Sequence, residues 1–252
     1  MAKFAPEEWQ TEQLRLTVFT MPGPSVRDPL WWNSLTGNQP DESTVKPKSG
    51  SGLIQGTWNS GKLILRLEPE RIDWVYAPED PVELILPSVG TLAESLAVFS
   101  EAMTQWFSRS DFPTVGRMAF GGVFFHPEEN RQAGYARLPD YVPVQVDPRS
   151  SDFLYQINLP TIQSSAGIEN LGLNRLSKWS VGARFSFGIM LTPGTSSFQH
   201  HDNLSAFRLE FDVNTLPTFA GPIPSDRLAD LLQELIGHAR KMAAEGVIPN
   251  GT

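Results

Sequence analysis

The chain contains no cysteine. Disulfides, thiolate metal sites, iron–sulfur clusters and cysteine nucleophiles are therefore excluded, and the composition fits a reducing compartment. Histidine is scarce, with 4 in 252 residues, so an imidazole-based metal or acid–base centre has few residues to draw on. No segment approaches the roughly 20 apolar residues that span a bilayer as a helix, and the stretch "MAKFAPEEWQ" lacks the apolar run of a signal peptide. A cytoplasmic location with no membrane association is the resulting expectation. Basic residues are in deficit, 20 Lys and Arg against 28 Asp and Glu for a net charge of −8. Attraction of nucleic acid by charge over the whole surface is not expected. The chain also lacks G-x-S-x-G, H-E-x-x-H, G-x-G-x-x-G, an EF-hand loop and an RNA-binding aromatic signature. Pro139-Asp140 opens a nuclease-like P-D pattern that no E-x-K completes.

What is present suffices for a large core: 40% hydrophobic and 10% aromatic residues, in one large domain or two intimately packed halves. In "QLRLTVFT", Leu14, Leu16 and Val18 alternate with polar residues at the period of a half-buried strand. Thr36 to Gly52 is nearly free of apolar residues and reads as a long mobile loop. "LIQGTW", "KLILRLEP" and "RIDWVYA" outline a β-meander. "TLAESLAVFSEAMTQWFSR" carries Leu92, Leu96, Phe99 and Met103 at helical spacing, with Thr91 and Glu94 forming a capping box. In "TVGRMAFGGVFF", Gly121 and Gly122 suggest a bulge or a close backbone approach. Pro127 to Ser150 is Pro-rich and aperiodic, and reads as a connection. Strand signals return in "FLYQINL", "KWSVGARFSFGIML" and "AFRLEFDVN", before a second helix from about Asp226 to Glu245, capped by Ser225 and ended by Gly246.

This blocky order argues for an α+β fold with largely antiparallel sheet and two long amphipathic helices. Each of the stretches 1–126 and 151–252 supplies strands and one long helix, so two similar halves joined through 127–150 into a single compact unit are expected, although no residue pattern repeats.

Four stretches invite a functional reading. "GTWNSGKL", Gly56 to Leu63, is one residue from the phosphate-binding G-x-x-x-x-G-K-[ST] loop. That loop needs a following helix and a hydroxyl after the Lys; here Leu63 stands in the hydroxyl position and "KLILRL" continues as a strand, so a hairpin turn at Asn59, Ser60 and Gly61 is expected. "SFQHHDN" holds His200, His201 and Asp202, candidate ligands for a metal-dependent hydrolase or nuclease, in a stretch that reads as an exposed loop between strands. In "FRLEFDV", Arg208, Glu210 and Asp212 share one strand face, and Arg117 and Arg184 on other strands could join them in a polar row. Such a row is more often a cross-strand ionic lattice than an acid–base site. Trp31 and Trp32 in "RDPLWWNSLTG" form a candidate partner-binding site, with one indole turned inward and the other at the surface.

Three stretches together, "LILRLEPERIDWVYAP" before the first helix, "VGRMAFGGVFF" after it, and "RLEFDVNT" leading into "RLADLLQELIGHARKMAAEG", resemble by layout a sporadically distributed bacterial family of uncharacterised proteins of about this length. The resemblance covers most of the chain and implies a companion role in bacterial defence or conflict loci. It transfers no catalytic residue, and where the family's central strand tends to carry Arg followed by Asn, this chain has "RMAFGG". No complete catalytic constellation and no cofactor motif is found. The reading is a non-enzymatic interaction or assembly subunit that binds another protein or itself. The alternatives are a metal-dependent hydrolase or nuclease at the His200 loop, and a small-ligand sensor with a cleft between two halves.

Overall fold

Apolar alternation builds the strand β1 (Gln10–Thr20), with Leu14, Leu16 and Val18 fully buried and polar residues at the positions between. A computed structural model of the chain describes residues 3–21, 30–46, 48–79, 86–192 and 195–247, with the side chains of residues 30, 183–192 and 195–203 outside that description. Strands β2 (Glu42–Lys46), β3 (Ser51–Trp58), β4 (Gly61–Glu68), β5 (Arg71–Ala77), β6 (Val115–Glu128), β7 (Leu154–Gln163), β8 (Gly172–Thr192) and β9 (Thr195–Thr215) complete one nine-stranded sheet in the order β2-β3-β4-β5-β1-β6-β9-β8-β7. Every pairing is antiparallel. The fold is α+β with an antiparallel sheet.

Helices α1 (Leu30–Thr36), α2 (Leu92–Phe107), α3 (Arg131–Tyr141) and α4 (Leu228–Glu245) lie on one side of that sheet. Phe99 of α2 packs on Tyr76 and Phe120, Trp106 on Trp74, and Tyr141 of α3 on Trp179 and Phe207. Helix α4 contacts α2, β6 and β9 and buries Leu228, Leu231, Leu232 and Leu235. Thr91 caps α2 by accepting from the Glu94 amide, and Glu94 returns the bond to the Thr91 amide. Among the described residues, the opposite face of the sheet carries no helix.

Three expectations are corrected. The polar stretch 36–52 is not all loop, because Glu42–Lys46 forms β2 against β3; all five of its residues are exposed, so backbone pairing rather than burial holds it. The connection 127–150 contains α3, whose cap is Asn130, with its side chain accepting from the Ala133 amide at 2.9 Å. Its buried positions are Gly134, Tyr135, Leu138 and Tyr141, and Gly134 is needed because a Cβ there would lie 2.7 Å from Val181. Ser225 does not cap the last helix: it starts a 3-10 turn, Ser225–Arg227, and α4 begins at Leu228 without a side-chain cap bond.

Candidate functional site

The helix-free face gathers the polar row. On β9, Arg208, Glu210 and Asp212 occupy alternate positions, while Leu209, Phe211 and Val213 face the core. Lys178 on β8 stands opposite Glu210 and donates to it at 2.9 Å. Arg208 donates to Glu12 at 2.6 Å. Arg15 on β1 donates to Asp212 at 2.9 Å although β6 lies between them. Gly121 makes that crossing fit: it pairs with both Arg15 and Asp212, and a Cβ on it would sit 3.2 Å from the Arg15 guanidinium and 3.5 Å from the carboxylate. Asn214 adds a bond to Asp212 at 2.6 Å. Further along the face, Asp73 on β5 accepts from Arg71 at 2.8 and 2.9 Å and from the Thr17 hydroxyl. Cations and carboxylates here neutralise one another across strands, in the manner of a lattice.

Of the expected row, Arg208, Glu210 and Asp212 are brought together, and Arg117 is not. Arg117 lies at the end of β6, donates to the Thr215 carbonyl at 3.4 Å and covers the Phe19 ring at 4.9 Å. The backbone of Arg184 pairs with Leu204, and its side chain lies outside the described residues. Arg15, Glu12 and Lys178 are members that sequence reasoning missed. Arg15 carried the needed signal, being polar between Leu14 and Leu16, but its partner sits two strands away. Beside Arg208 a pocket of about 80 Å³ opens between Phe125, Ala206, Glu12 and the Leu86–Pro87 segment, and Arg208 Nε is buried there without a hydrogen bond.

Trp31 and Trp32 are both fully buried, so no indole of the pair faces the surface. Adjacent helical residues differ by about 100°, and here both directions are occupied. Trp31 packs edge-on against Trp106 at 5.5 Å and donates to Asp111 at 3.0 Å. Trp32 donates to the Leu63 carbonyl at 3.3 Å and covers Gly56, where a Cβ would lie 2.9 Å from its ring. Asp111 also receives both sides of the Arg109 fork at 2.7 and 2.8 Å. The Arg109 bonds foremost, then the Trp31 indole, outweigh partial burial and pull the Asp111 carboxyl down to about 2.

"GTWNSGKL" is a hairpin. β3 ends at Trp58, Asn59 takes φ 49°, and β4 starts at Gly61. Leu63 is buried in the core, and a strand rather than a helix follows, so the phosphate-binding arrangement is absent. Ser60 donates to the Val89 carbonyl at 2.7 Å. His200 and His201 lie within β9, paired with Phe187 and Ser186, which corrects their placement in a loop; the side chains of both and of Asp202 lie outside the described residues. No group of three or more His, Asp or Glu side chains able to hold a metal occurs among the described residues, and no described helix is long and apolar enough to cross a membrane. A groove of about 630 Å³ runs between residues 107–115 and 222–228. No protein-family model matches the chain, and no curated protein matches it.

Proposed function

We propose that the chain is a non-enzymatic interaction or assembly subunit, and that the helix-free face of its sheet is the surface it presents to another protein or to a second copy. The observation that carries this reading is the ionic lattice of Glu12, Arg15, Lys178, Arg208, Glu210 and Asp212, laid across β1, β9 and β8 on a face that carries no helix among the described residues. Its carboxylates are held by cations, which suits a specificity surface better than an acid–base pair. The bacterial defence or conflict setting, implied only by the resemblance of layout, belongs to the same proposal, and the identity of the neighbouring genes would test it. So does the finer architecture, two long amphipathic helices on similar halves, 1–126 and 151–252, which would act as a scaffold behind the interacting face. Light scattering after size exclusion, followed by pull-down with the products of adjacent genes, tests the reading; a strict monomer without a partner sinks it.

The 107–115 and 222–228 groove favours a second reading, a small-ligand sensor, because its two walls come from the two stretches of chain and its volume falls within the range of ligand sites. Ligand-dependent shifts in melting temperature would support it.

A further inference from the structure

Strands β8 and β9 run on together beyond both of their neighbours. Strand β7 last pairs with β8 where Leu154 stands opposite Ser180, and β6 last pairs with β9 where Glu128 stands opposite Ser205. From Arg184 opposite Leu204 to Thr192 opposite Thr195, the two strands pair only with each other. The result is a two-stranded arm whose outer edges have no strand beside them among the described residues. A ribbon of two strands is at best marginally stable in water, and further strands are what stabilise it.

The two edges of the arm differ in sequence. On β8, Phe185 to Thr192 contains no Asp, Glu, Lys, Arg or Pro, and Phe185, Phe187, Ile189 and Leu191 alternate with Ser186, Gly188, Met190 and Thr192. On β9, the arm carries His200, His201 and Asp202. The register shift between Arg184 and Ser186 sets Asp202 and Asn203 against Phe185 alone, so the irregularity falls on β9. Charge and bulges are the usual devices that keep an edge from pairing. The β9 edge has both, and the β8 edge has neither.

We propose that the arm pairs with the arm of a second copy, β8 edge to β8 edge, antiparallel about a twofold axis at Gly188. An edge that pairs with itself across a twofold supplies its own complement, and an uncharged one meets no like charge there. Centred on Gly188, Arg184 to Thr192 of one copy runs opposite Thr192 to Arg184 of the other, which uses the whole uncharged run and stops short of Pro193. Phe187 then stands opposite Ile189 and Phe185 opposite Leu191, each pair occurring twice. Such aromatic–aliphatic cross-strand pairs stabilise a sheet. The apolar β8 strands become the centre of a four-stranded ribbon, and the β9 strands, polar at Thr195, Ser196, Ser197 and Gln199, become its outer edges. The inference rests on the assembly reading above only for self-association, and it uses a surface apart from the ionic lattice.

Because the chain has no cysteine, single introduced cysteines report the register in the full-length protein. Opposed residues of paired strands lie about 4.5–5.5 Å apart at Cα, within reach of a disulfide. Two copies of Ser196, on the outer strands, would be three strand spacings or roughly 14 Å apart. Under mild oxidation Gly188→Cys is therefore expected to form a cross-linked dimer at least about 10-fold faster than Ser196→Cys. In light scattering, Ile189→Lys is expected to weaken dimerisation by about 10-fold or more, since the twofold repeats the lost pair, while the melting temperature changes little. Equal cross-linking of the two cysteine variants, or a dimer unaffected by Ile189→Lys, overturns the arm and leaves the assembly reading standing. A strictly monomeric intact chain also overturns the arm, and the assembly reading is then decided by its pull-down. If Ile189→Lys does not fold, the cysteine comparison decides.

Discussion

Gly121 allows a guanidinium on one strand to reach a carboxylate two strands away, and its missing Cβ is the physical reason. Gly121→Val is expected to break the Arg15–Asp212 pair and to crowd Phe211, whose carbonyl lies 3.1 Å from the would-be Cβ. A loss of about 1–3 kcal/mol in urea denaturation follows from overpacking, with Gly121→Ala milder. Leu63 has no exposure and packs in the core, so Leu63→Ser should cost about 2–5 kcal/mol and create no nucleotide affinity; a gain of ATP binding would contradict the hairpin. Asp111 supplies a pH-dependent contribution. Its carboxyl lies at about 2 in the folded chain against 3.8 for the unperturbed group. The stability it adds is therefore complete above about pH 4 and lost as pH falls towards 2. An acid titration comparing the chain with Asp111→Asn should show a shallower fall for the variant in that window.

Elements differ in how openly they announce themselves. Helix α2 combines a capping box with apolar residues at helical period, and β1 alternates cleanly, so burial and local propensity agree and both are legible. Helix α3 is short and contains Pro139 and Gly134, signals that each argue for a loop. Only its fit against Val181, Trp179 and Phe207 makes it a helix. Asn130→Ala should then cost about 1 kcal/mol, the usual loss on removing an N-cap, and a chemical denaturation series would show it. The sheet edges are guarded: β2 is five exposed residues, and β7 contains Pro160 with a register shift between Leu159 and Ile162. Such edges resist strand addition, which directs association to a face or to the β8 arm instead.

Across the whole molecule, one nine-stranded sheet links residues 10–128 to residues 154–215 through the β6–β9 pairing, with helices on one side and an ionic lattice on the other. Reversing the Lys178–Glu210 pair one residue at a time, as Glu210→Lys and Lys178→Glu, should weaken association by about 10-fold or more while the melting temperature changes little, since an exposed pair contributes at most about 1 kcal/mol to folding. Light scattering and thermal melts on the same samples separate the two effects; unchanged association in both variants would remove this face as the interface. The α+β class, the cap and inner face of α2, the hairpin at Asn59 and the grouping of Arg208, Glu210 and Asp212 are legible in the amino-acid order, because each depends on neighbours a few residues apart. Tertiary structure alone decided the strand order, the burial of both Trp31 and Trp32, the helical state of 131–141 and the reach of Arg15 past Gly121. Those outcomes depend on which distant segments lie side by side, and local periodicity carries no information about that.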